Sequence, residues 1–169
     1  ETGRHMDVKA QFMTRGKIVG DHQRDLMYTN MLAEKIVDRY HIENYVFASH
    51  LVAFVSFQML RKKRPGLDLY GILRLPPDER QLDLTTFRKV LERVYQQLRY
   101  LNDNGKVHLP THMFNEPITI IEYGIKNLGI YHVKRPIKMK DDQTLLLNNM
   151  NLIYYYHNRL VGYELESLI

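Results

Sequence analysis

The apolar positions of this chain change period several times, and each change marks an element. Phe87, Val90, Leu91, Val94, Leu98 and Leu101 recur at steps of 3, 1, 3, 4 and 3, which is one stripe on a 3.6-residue helix. Thr85 or Asp83 stands where a cap belongs, and Asn104-Gly105 supplies a left-handed stop. A different pattern precedes it. Tyr45–Leu60 is apolar on nearly every side and is interrupted only by Ser49, His50, Ser56 and Gln58. That predicts a helix buried almost all round, opened by Asn44 and closed by Arg61-Lys62-Lys63-Arg64 before Pro65-Gly66. Its 16 residues fall short of the roughly 20 that a spanning helix needs. The alternative is a helix that faces a membrane or a partner domain.

The rest of the chain reads as shorter pieces. A first helix runs from Asp25, as its cap, to about Tyr40, with Leu26, Met27, Leu32, Ile36, Val37 and Tyr40 on its apolar side. Leu67–Leu75 is a short helix or turn closed by Pro76-Pro77, and Asp78–Asp83 is a polar connector. Lys106–Leu109 alternates like a short strand. Pro117 opens a helix with Ile118, Ile121, Ile125 and Leu128 in step, and Gly129 ends it. Ile130–Lys140 turns at Asp141-Asp142 into Gln143–Leu147, a β-hairpin with Pro136 on its edge. Met150–Leu160 is a last, Tyr-rich helix. The fold class expected is mainly α, with about six helices and a small β-hairpin near residues 130–147. Glu1–Met6 reads as an expression-vector tag, so His5 carries no information, and residues 7–169 form a single helical domain.

Composition narrows the function classes. With 44% apolar and 25% charged residues among 169, a packed core is expected. Twelve Tyr and no Trp suit half-buried helix faces. No Cys is present, which excludes a disulfide framework, a thiol nucleophile and a Cys-ligated metal. No apolar signal region opens the chain, so a soluble protein of the reducing cytoplasm is expected. The net charge of +5 is a mild excess that suits phosphate, nucleic acid or anionic lipid, and equally suits none of them.

The candidate chemistry is sparse. His108 and His112 are four apart, but Pro110 between them breaks the helix that a zinc-hydrolase pair needs. No metal, cofactor or catalytic residue is assigned. His50 interrupts the apolar helix and is expected to be a hydrogen-bonded core or docking histidine. Arg61, Lys62, Lys63 and Arg64 exceed what capping a helix C-terminus requires and are candidates for contact with an anion or a membrane surface. Tyr154-Tyr155-Tyr156 spreads around a helix at 100° per step, so the three rings cannot share one pocket. Tyr155 and Asn158 are structural or docking candidates, Asn158 for a specific buried hydrogen bond. Lys134, Arg135, Lys138 and Lys140 make the hairpin basic, an order found in winged-helix domains, where the hairpin touches phosphates. The Phe87–Leu101 helix offers only Gln96 and Gln97 toward bases.

Four segments in order resemble the C-terminal region of the large bacterial membrane-associated glycerol-3-phosphate acyltransferases. They are Ala48–Leu60, Asp68–Pro77, Glu122–His132 and Tyr155–Tyr163, within a likeness running from about Arg24 to the terminus. The family's closing stretch, Tyr-Tyr-basic-Asn-x-aliphatic, is matched by Tyr155, Tyr156, His157, Asn158 and Leu160; His157 stands where Arg is common, and Gly162 where His is expected. The resemblance implies an enzyme that acylates the 1-hydroxyl of glycerol 3-phosphate in phospholipid synthesis. That chemistry uses His-x-x-x-x-Asp, with His as general base. None of the eight His is followed by Asp at that spacing. The resemblance therefore implies a non-catalytic C-terminal accessory domain, whose partners are the acyltransferase domain of the same polypeptide and the anionic cytoplasmic face of the inner membrane. Alternatives are a winged-helix-like nucleic-acid-binding module, though nucleic acid is not the favoured partner, or a protein-binding helical scaffold.

Overall fold

A computed structural model describes Asp21–Ile169 and, before them, only two short strands; residues 1–6, read from sequence as a tag, lie outside the described residues. The chain is mainly α, with six α-helices and a small antiparallel sheet among the described residues. It falls into two units divided between Tyr40 and His41.

In the first unit, β1 (Met13–Thr14) pairs antiparallel with β2 (Lys17–Ile18). Helix α1 (His22–Ile42) follows and has no buried residue. Its cap is Asp21 rather than Asp25: the Asp21 Oδ1 accepts from the N–H groups of Gln23 and Arg24, at 3.1 and 3.2 Å. Asp25 instead sits in the first turn, where its charge suits the exposed amides.

The second unit is built around α2 (Ala48–Lys63). Every side chain from Ala48 to Leu60 is buried, as the all-round apolar pattern predicts. The helix starts three residues later than that pattern suggests. Tyr45 and Val46 are extended and form a parallel bridge with His108; the Val46 N–H donates to the His108 carbonyl and the His108 N–H to the Asn44 carbonyl, both at 2.9 Å. Backbone pairing thus takes the residues that periodicity alone assigns to the helix, and the Lys106–Leu109 strand contracts to that bridge.

Helices α4 (Leu84–Asp103), α5 (Pro117–Asn127) and α6 (Met150–His157) all pack on α2. The Asp83 carboxylate caps α4 through the Thr86 N–H at 2.6 Å, and Gly105 ends it at φ +65°. The α4 stripe is buried from Leu84 through Leu98. Helix α5 buries Ile120, Ile121 and Gly124, with Leu128 behind them, while Ile118 and Ile125 are half-buried. Gly124 sets the approach to α2: a Cβ there would lie 2.5 Å from Val52 Cγ2 and 2.7 Å from the Ala48 carbonyl oxygen.

The hairpin forms from β4 (Ile137–Asp141) and β5 (Thr144–Leu147), but its first strand starts only after Pro136; residues 130–136, Lys134 and Arg135 among them, lie outside it, mostly in turns and bends. Asn148 and Asn149 both donate backbone N–H groups to the Pro136 carbonyl. A third strand, β3 (Gln81–Asp83), pairs with β5, so the order is β3-β5-β4. It lies in the stretch read from sequence as a polar connector, because three residues with one buried side chain, Leu82, leave no period to detect. The short helix α3 (Leu69–Leu73) is capped by Asp68. The last helix ends at His157 and tightens into a 3-10 turn, Asn158–Leu160.

Two substitutions test the packing around α2. Gly124→Ala forces α5 away from Ala48 and Val52 and is expected to cost about 1–3 kcal/mol. Ser56 is fully buried and its hydroxyl has no partner among the described residues, so Ser56→Ala is expected to be neutral or stabilising by about 1 kcal/mol. Urea denaturation measures both; a harmless Gly124→Ala would refute the close approach.

Candidate functional site

Polar groups enter the α2 core at its two ends. At the N-terminus the first amides of the helix lack intrahelical acceptors, and Phe47 offers no side-chain oxygen. Two imidazoles take that role. The Phe47 N–H donates to His50 Nδ1 at 3.3 Å, and the Ala48 N–H donates to His112 Nε2 at 3.4 Å. Phe47 packs edge-on to His50 and stacks on His112, which in turn lies against Tyr123. His50, only 9% exposed, is therefore a buried capping residue. Burial, and then the Arg159 charge, lower its pKa from 6.5 to about 4 against an opposing backbone contact with Tyr45. Burial also lowers that of His112. A neutral ring is required here, since only a bare ring nitrogen accepts from an amide.

The other end holds a pocket of about 330 Å³. Phe57, Gln58 and Arg61 of α2 form one wall, Leu67, Asp68, Leu69 and Ile72 a second, and Tyr154, His157, Asn158 and Val161 a third. His157, 3% exposed, lies between the rings of Phe54, Phe57 and Tyr154 at centroid distances of 5.2, 4.7 and 5.5 Å. Its Nε2 is 2.9 Å from Gln58 Nε2, and its Nδ1 is 3.1 Å from Asn158 Oδ1. A carboxamide nitrogen can only donate. His157 Nε2 is therefore the acceptor, and Nδ1 carries the proton and donates it to Asn158. Burial holds the ring's pKa down, with Arg61 adding to the effect and Asn158 and Glu166 opposing it.

The sequence candidates separate in space. Lys62 donates to the Ile169 carbonyl, Lys63 to the Gln81 carbonyl at 3.3 Å, and Arg64 pairs with Glu79 Oε2 through two nitrogens at 3.0 and 3.1 Å. Three of the four cations thus secure neighbouring segments, and Arg61 alone of the four lines the pocket. Tyr155 is exposed and meets Tyr156 edge-on. Asn158 is exposed rather than buried, because the 3-10 turn swings it outward, and its hydrogen bond is to the adjacent His157. Gly162 has φ +100°, and a Cβ there would meet His41 Nε2 at 2.8 Å.

Sequence reading missed the His112 cap and the Gln58–His157–Asn158 chain. Part of the signal for the second was present: Gln58 is a polar residue between apolar neighbours, Phe57 and Met59. No spacing links them, since they lie 99 residues apart. Among the described residues, no group of three or more His, Asp or Glu is placed to hold a metal ion, and no helix is long and apolar enough to cross a membrane. No protein-family model, curated protein or solved structure matches the chain.

The imidazole caps carry a pH dependence. In the unfolded chain these histidines take up a proton near pH 6.5, whereas folded His50 resists protonation until about pH 4. Stability is therefore full above about 6.5 and falls as pH drops from there toward 4, by about 3 kcal/mol for His50. His112 and His157 act in the same direction. Urea midpoints at pH 7.5, 6, 5 and 4 are expected to fall in that order, with a shallower slope in His50→Gln; a flat profile would contradict the assignment.

Proposed function

We propose that the chain is the non-catalytic C-terminal accessory domain of a glycerol-3-phosphate acyltransferase of phospholipid biosynthesis. It docks on the acyltransferase domain of the same polypeptide and on the membrane face. The observation that carries this reading is the convergence of the four family-like segments on one helix. Ala48–Leu60 is the buried part of α2 itself. Phe57 and Gln58 share a pocket with Asp68, Leu69 and Ile72 of the second segment and with His157, Asn158 and Val161 of the fourth. The third segment supplies Gly124, the point of closest approach to α2. Segments that keep a family's order and also build one core are what a shared domain requires.

Two surfaces suit docking. Leu26, Met27, Met31, Leu32, Ile36, Val37 and Tyr40 of α1 are all exposed, more apolar side chain than one helix usually leaves in water. In the other unit, Tyr131 and Val133 project fully into solvent, followed directly by Lys134, the mix of aromatic, aliphatic and basic groups that suits a lipid interface. Acyl transfer itself belongs to the partner domain, since His-x-x-x-x-Asp is absent here.

A second reading, a winged-helix-like nucleic-acid binder, is favoured by the connectivity. A strand, two helices and a hairpin whose second strand returns to the middle of the sheet form the winged-helix order, and the hairpin carries exposed Lys138 and Lys140. Against it, α5 exposes Glu122 beside Lys126 where phosphates would lie. Reading the source gene upstream of Asp7 decides between them. An in-frame acyltransferase domain with His-x-x-x-x-Asp is expected. A frame without one, together with salt-sensitive duplex binding tighter than about 10⁻⁵ M, would replace the first reading with the second.

A further inference from the structure

The pocket at the C-terminal end of α2 has features that packing alone does not require. The chain Gln58–His157–Asn158 uses one group of each amide and leaves the other spare. Gln58 commits Nε2 to the histidine, and its Oε1 has no partner among the described residues. Asn158 commits Oδ1 and keeps its Nδ2 donors free at the pocket wall. Arg61 stands one turn beyond Gln58 on the same wall and, among the described residues, makes no side-chain hydrogen bond or ion pair, unlike its three basic neighbours. Asp68, the acidic group of the lining, is committed to the Gly71 N–H at 2.7 Å. The remaining walls are Phe57, Leu67, Leu69, Ile72, Tyr154 and Val161.

We propose that this pocket binds an amphiphilic monocarboxylate: an unbranched aliphatic chain whose carboxylate is held by Arg61 and Asn158 Nδ2. A guanidinium and an amide N–H₂ are both donors, so together they match an acceptor-only head. One cation in a lining that also holds the Asp68 carboxylate suits one negative charge better than the two of a phosphate monoester. The volume of 330 Å³, at roughly 30 Å³ for each water-sized group, holds about eleven non-hydrogen atoms, the size of octanoate. His157 acts as a positioning residue: its Nδ1–H fixes the Asn158 side chain with the amide donors turned to the ligand. This site does not depend on the accessory-domain reading.

The test uses the full chain and three probes followed by calorimetry and methyl chemical shifts. Octanoate has the head and the tail, 1-octanol the tail alone, and butyrate the head with a short tail. Octanoate is expected to bind saturably at about 1 mM or tighter, with shifts at Leu69, Ile72 and Val161, and the other two at least about tenfold more weakly. Arg61→Gln should bring octanoate down to the level of octanol and leave octanol unchanged. Val161→Trp, at a position exposed enough to accept the ring, should fill the pocket and abolish both, with the thermal midpoint retained. Absence of saturable octanoate binding, shifts that map elsewhere, or equal affinity for octanoate and octanol that Arg61→Gln does not alter would each overturn the proposal.

Discussion

The second unit depends on the complete desolvation of one helix. Thirteen consecutive residues of α2, Ala48 to Leu60, are buried, and a helix without a wet face must be enclosed by other elements on every side. This explains why α4, α5 and α6, which come from distant parts of the chain, all reach it. It also explains why polar groups on α2 are few. Each buried polar atom must find a partner or lose the free energy of its lost water. His50 finds its own helix start, and Gln58 finds His157. The Ser56 hydroxyl finds none among the described residues.

Burial also governs the two ends of α2. A helix terminus that enters a core keeps unpaired amides or carbonyls, and this helix resolves its ends differently. The N-terminal amides are met by imidazole nitrogens that stay neutral because they are buried. The C-terminal end is met by cations, three of which also hold the 3-10 turn before β3, the start of that strand and the chain's last residues. The open space among the ends of α2, α3 and α6 is lined by Gln58, Asp68 and Asn158, each held by a hydrogen bond, and by Arg61.

The elements that were legible in the sequence are those with a long period. The stripe from Phe87 to Leu101 and the all-round apolar run to Leu60 need no tertiary information. Gly105 and Gly129, both at positive φ, and Pro117 at the start of α5 mark ends through backbone chemistry alone. What was illegible was decided at long range. Tyr45 and Val46 look helical until His108, more than sixty residues away, pairs with them. Gln81–Asp83 is too short to show alternation and becomes a strand only because β5 lies beside it. The four cations at 61–64 look like one patch in sequence, but three are taken up by whatever packs nearby, and of the four only Arg61 lines the pocket. Asn158 was singled out as a poor helix former, which was correct, yet the consequence was a tightened, outward turn rather than a buried bond.

The parts that enclose α2 are separated from it by up to about a hundred residues, and this shapes how the chain is made. At a synthesis rate of about 5–20 residues per second, the most buried helix leaves the ribosome on the order of ten seconds before His157 and the rest of α6 exist to cover it. Contacts at such separation also pay loop-closure entropy before they gain burial, which slows folding. In that interval α2 presents an uncovered apolar surface, the state that chaperones recognise and that aggregates when they are scarce. The basic residues Arg61–Arg64 directly after the apolar run then act as gatekeepers in the nascent chain, before any of them has the partner it holds in the finished fold.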